Sequence, residues 1–122
     1  EERAVPMTGD YLTDDIGSGY DLVLAIATLS FVEQEMAGLM KKLYKAMNPG
    51  GVLLCYSEGI ERDGSGPWDM MLGWLPYNMQ GYNLGVKKNE ITEAAMAAGF
   101  RSAEKRTGIY STGNVDVDIF RK

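Results

Sequence analysis

The chain has 122 residues, a formal net charge of −5, 45% hydrophobic residues and no histidine. The acidic balance argues against nucleic acid, which is met by a basic face. The lack of histidine removes every mechanism built on a histidine base or histidine metal ligand.

One cysteine, Cys55, excludes an internal disulfide and reads as a buried, inert thiol. No apolar run is long enough to span a bilayer, so no membrane partner is expected, and no metal site is expected either. The length fits a single domain, residues 1–122. No signal-peptide pattern is present, so the expected location is the cytoplasm. The start at Glu1, without an initiator methionine, reads as a fragment.

Arg3 to Thr8 reads as a short strand, with Pro6 suited to an edge or strand end. Gly9-Asp10-Tyr11 follows, then loop chemistry as far as Gly19. Tyr20 to Ile26 is a second, more apolar strand, and Ala27 to Val32 is a connection. From Glu33, the apolar residues Met36, Leu39, Met40, Leu43, Tyr44 and Met47 recur at three and four residues. That spacing predicts a helix with one buried stripe and a lysine face of Lys41, Lys42 and Lys45. The helix is expected to run into Asn48, where Pro49 stops it and Gly50-Gly51 permit a tight reversal. Val52 to Tyr56 then reads as a strand buried on both faces, as in a parallel sheet.

Gly59 to Gly66 is a polar, glycine-rich loop without the Lys-Ser/Thr of a phosphate loop. Pro67-Trp68-Asp69 opens a helix carrying Met70, Met71, Leu72, Trp74 and Leu75, expected to stop near Pro76. Tyr77 to Gly85 is rich in aromatics and asparagine and has no clear period. Asn89 is placed to cap a helix with glutamates in its first turn, and Gly99 to end it. Phe100 to Arg106 and Asn114 to Phe120 read as two strands joined by a hairpin around Gly108 to Gly113. In the second, Val115, Val117 and Ile119 alternate with Asp116 and Asp118, which predicts an acidic face turned to solvent.

This order (β, β, α, β, α, α, β, β) resembles the C-terminal half of a class I S-adenosylmethionine-dependent methyltransferase. The likeness is to the small-molecule O-methyltransferase group. Four segments carry it: Gly9-Asp10-Tyr11 after a strand, Tyr20 to Leu24, Leu43 to Gly51 with its Asn-Pro-Gly-Gly turn, and Ala97-Ala98-Gly99-Phe100 before a strand. Each is weak alone; the four in order, over nearly the whole chain, are fairly specific.

The fold class implied is α/β, the C-terminal part of a Rossmann-like methyltransferase fold. It is a mostly parallel sheet with a terminal antiparallel hairpin, and the first two strands are absent. The family's glycine-rich turn and its ribose-binding acid belong to that absent part. The sheet is therefore expected to lack its middle.

The resemblance implies S-adenosylmethionine as cofactor in the intact protein and a small-molecule acceptor. Asp10 matches the carboxylate that accepts from the adenine amino group, and Tyr11 the side chain that packs on the ring; the plain alternative for Asp10 is an Asx turn. Ser30 stands about where plant-type relatives carry a catalytic histidine, and no other histidine replaces it. The catalytic base is therefore unassigned, and a serine hydroxyl is a poor base without an activator.

Trp68, Trp74 and Tyr77 match the region that covers the acceptor, against the plain alternative of a core helix. The Trp68–Tyr82 stretch, or exposed strand edges, is the expected surface for a homodimer. Asp21 is read as structural or near the cofactor edge. Glu58, Glu61 and Asp63 are read as a solvated loop that could orient an acceptor. A non-catalytic, methyltransferase-like binding or dimerisation module is the rival function.

Overall fold

The computed structural model describes residues 3–57, 59–82, 85–110 and 113–122, with the side chains of 57, 110, 113 and 114 excepted. Strand β1 spans Tyr20–Ile26, a 3-10 turn Leu29–Phe31, helix α1 Met36–Ala46, and strand β2 Met47–Ser57. Helix α2 spans Trp68–Met79, helix α3 Glu90–Ala98, strand β3 Ser102–Tyr110, and strand β4 Gly113–Arg121.

The strands form one sheet in the order β1-β2-β4-β3. The β1–β2 pair is parallel, while β4 runs antiparallel to both β2 and β3. Three strands therefore point one way, with the reversed β4 inserted between two of them.

The four described strands are contiguous, and the Arg3 to Thr8 segment, expected beyond the missing middle of the sheet, is the one left unpaired. Arg3 to Thr8 forms no strand. A strand needs a neighbour for its N–H and C=O groups, and this segment has none among the described residues.

The sheet buries one face. Ala25, Leu53, Cys55 and Phe120 point to the side covered by α1 and α3, and join Leu39, Met40, Leu43, Ile91 and Ala95 in the core. Phe100 meets Tyr44 edge-on at 5.2 Å and Phe120 at 5.9 Å. The opposite face carries Leu22, Leu24 and Ile26, with Leu24 59% exposed. The expectation that β2 is buried on both faces therefore fails: Leu53 and Cys55 are buried, whereas Val52, Leu54 and Tyr56 are half-buried. Among the described residues no helix lies across that second face to close it.

Helix α1 starts at Met36, within the Glu33–Met36 region expected, but ends at Ala46, before Asn48. Met47 already pairs with Tyr20, yet Leu22 pairs with Val52, so Asn48 to Gly51 bulge out between the two pairs. Gly50 turns there at φ 80°. Asn48 Nδ2 closes the bulge by donating to Gly19 O at 3.0 Å and to Asp21 Oδ1 at 2.9 Å. Asp21 thus takes the structural role of its two readings.

Helix α2 continues through Pro76 to Met79. Proline there removes one N–H from the ladder, but α2 buries none of its residues, so the carbonyl it leaves can reach water. Helix α3 starts after Asn89 as expected, by another device. Asn89 sits at φ 71° and its side chain makes no cap; instead Glu90 accepts from Lys87 N–H at 2.8 Å. Gly99 ends α3 at φ 115°, where a Cβ would lie 3.2 Å from the Tyr44 ring.

Candidate functional site

Asp10 to Asp14 form one tight, reciprocally bonded turn. Leu12 N–H donates to Asp10 Oδ1 at 2.8 Å, and Asp10 N–H donates to Asp14 Oδ2 at 2.9 Å. The Asp10 carbonyl accepts from Thr13 and Asp14 N–H at 3.1 and 2.8 Å. The Asx turn foreseen for Asp10 is therefore present. It occupies one carboxylate oxygen, and an ionised carboxylate has acceptor capacity left over.

Asp10 and Tyr11 line a pocket of about 190 Å3 with Met7, Thr8, Asp14 and Asp15. Tyr11 also borders a second, apolar pocket of about 170 Å3, over Val23, Ala25, Thr28 and Leu29 beyond the end of β1. Its hydroxyl approaches Thr28 O at 3.5 Å. Sites for drug-sized ligands usually measure about 300–1,000 Å3, so each pocket is a partial wall rather than a whole site.

The second region lies around α2. Trp74 stands edge-on to Phe31 at 5.5 Å and 5.9 Å from Tyr77. Phe31 belongs to the 3-10 turn that follows β1, so this contact joins α2 to the end of the sheet. Ala27, at φ 52°, bends the chain from β1 into that turn. Ser30 sits in the same turn but is only 1% exposed, and its carbonyl accepts from Gly85 N–H at 3.5 Å. Trp68, at the start of α2, is 67% exposed.

Sequence-expected residues are thus brought together in two groups. Asp10 and Tyr11 form one; Trp74 and Tyr77 form the other, with Ser30 beneath it. Trp68 stands apart from the second. The alternative reading of α2 as a core helix fails, because α2 buries none of its residues. Instead Met71, Trp74 and Leu75 face a cleft of about 430 Å3 shared with Ile60, Glu61 and Arg62.

The 59–66 loop is more organised than a solvated loop. Lys88 Nζ donates to Glu61 at 2.8 Å, and Arg62 pairs with Glu93 at 2.5 Å, tying the loop to α3. The Glu61 hydrogen bond and charge raise the Lys88 pKa. Asp63 is held below the usual carboxylate range, first by the Ser65 side chain and then by Ser65 N–H. Glu58 lies outside the described residues. Cys55 is buried, and burial, with Asp118 adding to it, pushes its thiol pKa far up. That makes it inert, as expected.

Two features escaped the sequence reading. Lys42 does not join a solvent-facing lysine stripe: its ammonium donates to Tyr11 O at 2.9 Å, to Leu12 O at 3.3 Å and to Asp14 O. Nothing in the helical spacing distinguishes it from Lys41 or Lys45. Asp116 and Asp118 are also buried rather than exposed. They share the core-side face with Phe120, and Lys105 and Thr107 of β3 cover them, with Lys105 Nζ 2.8 Å from Asp118 and Thr107 Oγ1 2.7 Å from Asp116. Among the described residues no cluster of carboxylates, cysteine or histidine is arranged to hold a metal ion, and no helix is long and apolar enough to cross a membrane.

No protein-family model matches the chain. By sequence it is 30% identical over 110 residues to acetylserotonin O-methyltransferase of Gallus gallus, covering 88% of this chain and 32% of that protein. The chain therefore spans about a third of that relative's length. By structure it superposes on an O-methyltransferase family protein from Burkholderia thailandensis with a TM-score of 0.75 and 16% identity, over 95% of this chain and 35% of that one. It superposes on human N-acetylserotonin methyltransferase, solved with S-adenosylmethionine, with a TM-score of 0.72 and 23% identity, over 95% and 33% of the two chains. The sequence match spans most of this chain, and its fold is that of the C-terminal part of S-adenosylmethionine-dependent O-methyltransferases, to which the chain is similar.

Proposed function

We propose that the protein containing this chain transfers a methyl group from S-adenosylmethionine to a hydroxyl of a small-molecule acceptor. The observation that carries this reading is the Asp10–Tyr11 turn beside the end of β1. It presents a spare carboxylate oxygen and an aromatic ring on neighbouring residues, which suit the amino edge and face of an adenine. The cofactor would supply an electrophilic methyl on a sulfonium; the acceptor oxygen would form the new bond to carbon as the carbon–sulfur bond breaks with its electrons staying on sulfur, and the hydroxyl proton would pass to solvent.

In this reading the chain's part is positioning and exclusion of water. Trp74 and Tyr77 border the acceptor, Trp68 closes over it from the start of α2, and Ser30 supports the floor. The 122 residues act as a single unit inside the methyltransferase domain, located in the cytoplasm. In this reading they are inactive alone, because the glycine-rich turn and ribose-binding acid that the family resemblance implies are not among them. A homodimer through the Trp68–Tyr82 surface, or through the exposed strand edges, belongs to the same proposal.

The test is calorimetric titration of S-adenosylmethionine into the intact protein and its Asp10→Ala variant. A weakening of about tenfold or more is expected, the scale of one lost hydrogen bond to a charged group. Equal affinities would remove Asp10 from the cofactor site.

A second reading, a binding or dimerisation module without catalysis, is favoured by one observation. The position expected for the base is a serine, and it is 1% exposed. Cofactor binding without turnover of any hydroxylated acceptor would favour that reading.

A further inference from the structure

We propose that Lys42 is a positioning residue for the cofactor side of the site, holding the Asp10–Asp14 turn in its binding shape from helix α1. This rests on the reading of Asp10 and Tyr11 as adenine-side residues. The turn satisfies its own N–H groups internally: those of Asp10, Leu12, Thr13 and Asp14 all find acceptors on Asp10 or Asp14. Among the turn's carbonyls, that of Asp10 is used internally, by Thr13 and Asp14 N–H, and others are left for outside partners. Those of Tyr11, Leu12 and Asp14 converge on the Lys42 ammonium, 28 to 31 residues away in sequence. An ammonium has three donors, and here three acceptors surround it. The arrangement repeats the logic of a helix C-terminus, where a cation meets the last carbonyls.

Lys42 differs in this from its neighbours. Lys41 and Lys45 are exposed on the same helix, while Lys42 is half-buried against the turn. Charge-assisted bonds to a rigid helix offset the entropy of ordering a short exposed turn. Without them the turn samples other shapes. A site that is competent only part of the time binds its ligand more weakly by that fraction. Lys42 touches neither cofactor nor acceptor in this account, so its effect must pass through Asp10 and Tyr11.

The experiment uses the intact protein, with S-adenosylhomocysteine as the calorimetric probe and amide hydrogen exchange measured without ligand. Lys42→Met is expected to weaken the probe about tenfold, comparable to losing one charged hydrogen bond. The Thr13 and Asp14 amides should exchange faster in that variant. Lys42→Arg should recover most of both effects, and Lys41→Met should change neither.

The double variant Asp10→Ala/Lys42→Met should bind little worse than Asp10→Ala alone, because residues acting as a unit are not additive. An unchanged dissociation constant in folded Lys42→Met, or fully additive losses, overturns the proposal. If the unaltered protein does not bind the probe, the cofactor reading falls instead. Unchanged exchange at Thr13 and Asp14 would then reject the pinning of the turn by itself.

Discussion

Lys105 Nζ lies 2.8 Å from Asp118 Oδ1, its cross-strand partner, and 3.4 Å from Asp116 Oδ2. One cation on β3 therefore serves two buried carboxylates on β4. Removing it strands buried negative charge, the costly way to break such a group. Lys105→Met is expected to lower stability by about 3 kcal/mol. Replacing Asp118 with leucine in the same chain should recover part of that loss, since it removes one of the stranded charges. Urea denaturation of the single and double variants checks both expectations.

Gly51 occupies the narrowest point of the bulge between β1 and β2. A Cβ there would lie 2.9 Å from Asn48 O and 3.1 Å from Tyr20 O, both main-chain atoms that cannot swing aside. Gly51→Ala is expected to cost about 2 kcal/mol, the scale of an overpacked site. Gly38→Ala is the matched control, because a Cβ at Gly38 meets nothing within 4 Å. The denaturation midpoints of the two variants should separate clearly.

Phe31 and Trp74 couple α2 to the end of β1, and α2 buries no residue of its own. An aromatic pair of this kind is worth about 0.5–1.5 kcal/mol beyond its buried area. Trp74→Ala should therefore loosen α2 locally and leave the sheet intact. Limited proteolysis should cut within residues 68–82 faster in the variant, with global stability lowered by about 1 kcal/mol or less. Unchanged cleavage would show that α2 is held by other contacts.

Cys55 titrates in a direction that gives a pH test. Its folded pKa is raised, chiefly by burial and further by Asp118. The thiol therefore stays protonated in the fold while an unfolded chain ionises above about 8.5. Above that pH the unfolded state holds fewer protons, so the thiol contributes a loss of stability as pH rises. Cys55→Ala should flatten this part of the profile between about pH 8.5 and 10. A thiol-specific disulfide reagent should label Cys55 only at the rate of unfolding.

The sequence was read well where the answer depends on a chain's own periodicity. Strand β1 has the predicted bounds, α1 buries the predicted Met36, Leu39, Met40 and Leu43, and Gly99 ends α3. It was read poorly where the answer depends on what stands opposite. The alternation along β4 was correct as a pattern but gave the wrong side to solvent. A carboxylate face looks exposed until Lys105 and Thr107 are seen across from it. Pro76 looks like a helix stop until the open surroundings of its turn are known.

The candidate site divides in the same way. Gly9-Asp10-Tyr11 could be singled out from its place after an expected strand, and Trp74 and Tyr77 from their aromatic character. The amino-acid sequence by itself determined the element order, the helical stripes and the turn residues, because these follow from local sterics and spacing. Only the tertiary structure decided that Lys42 turns back onto three carbonyls, that Asp116 and Asp118 lie inside, and that Leu22, Leu24 and Ile26 face outward. A side chain's burial and bonding are set by distant segments, and no local period encodes where those segments come to rest.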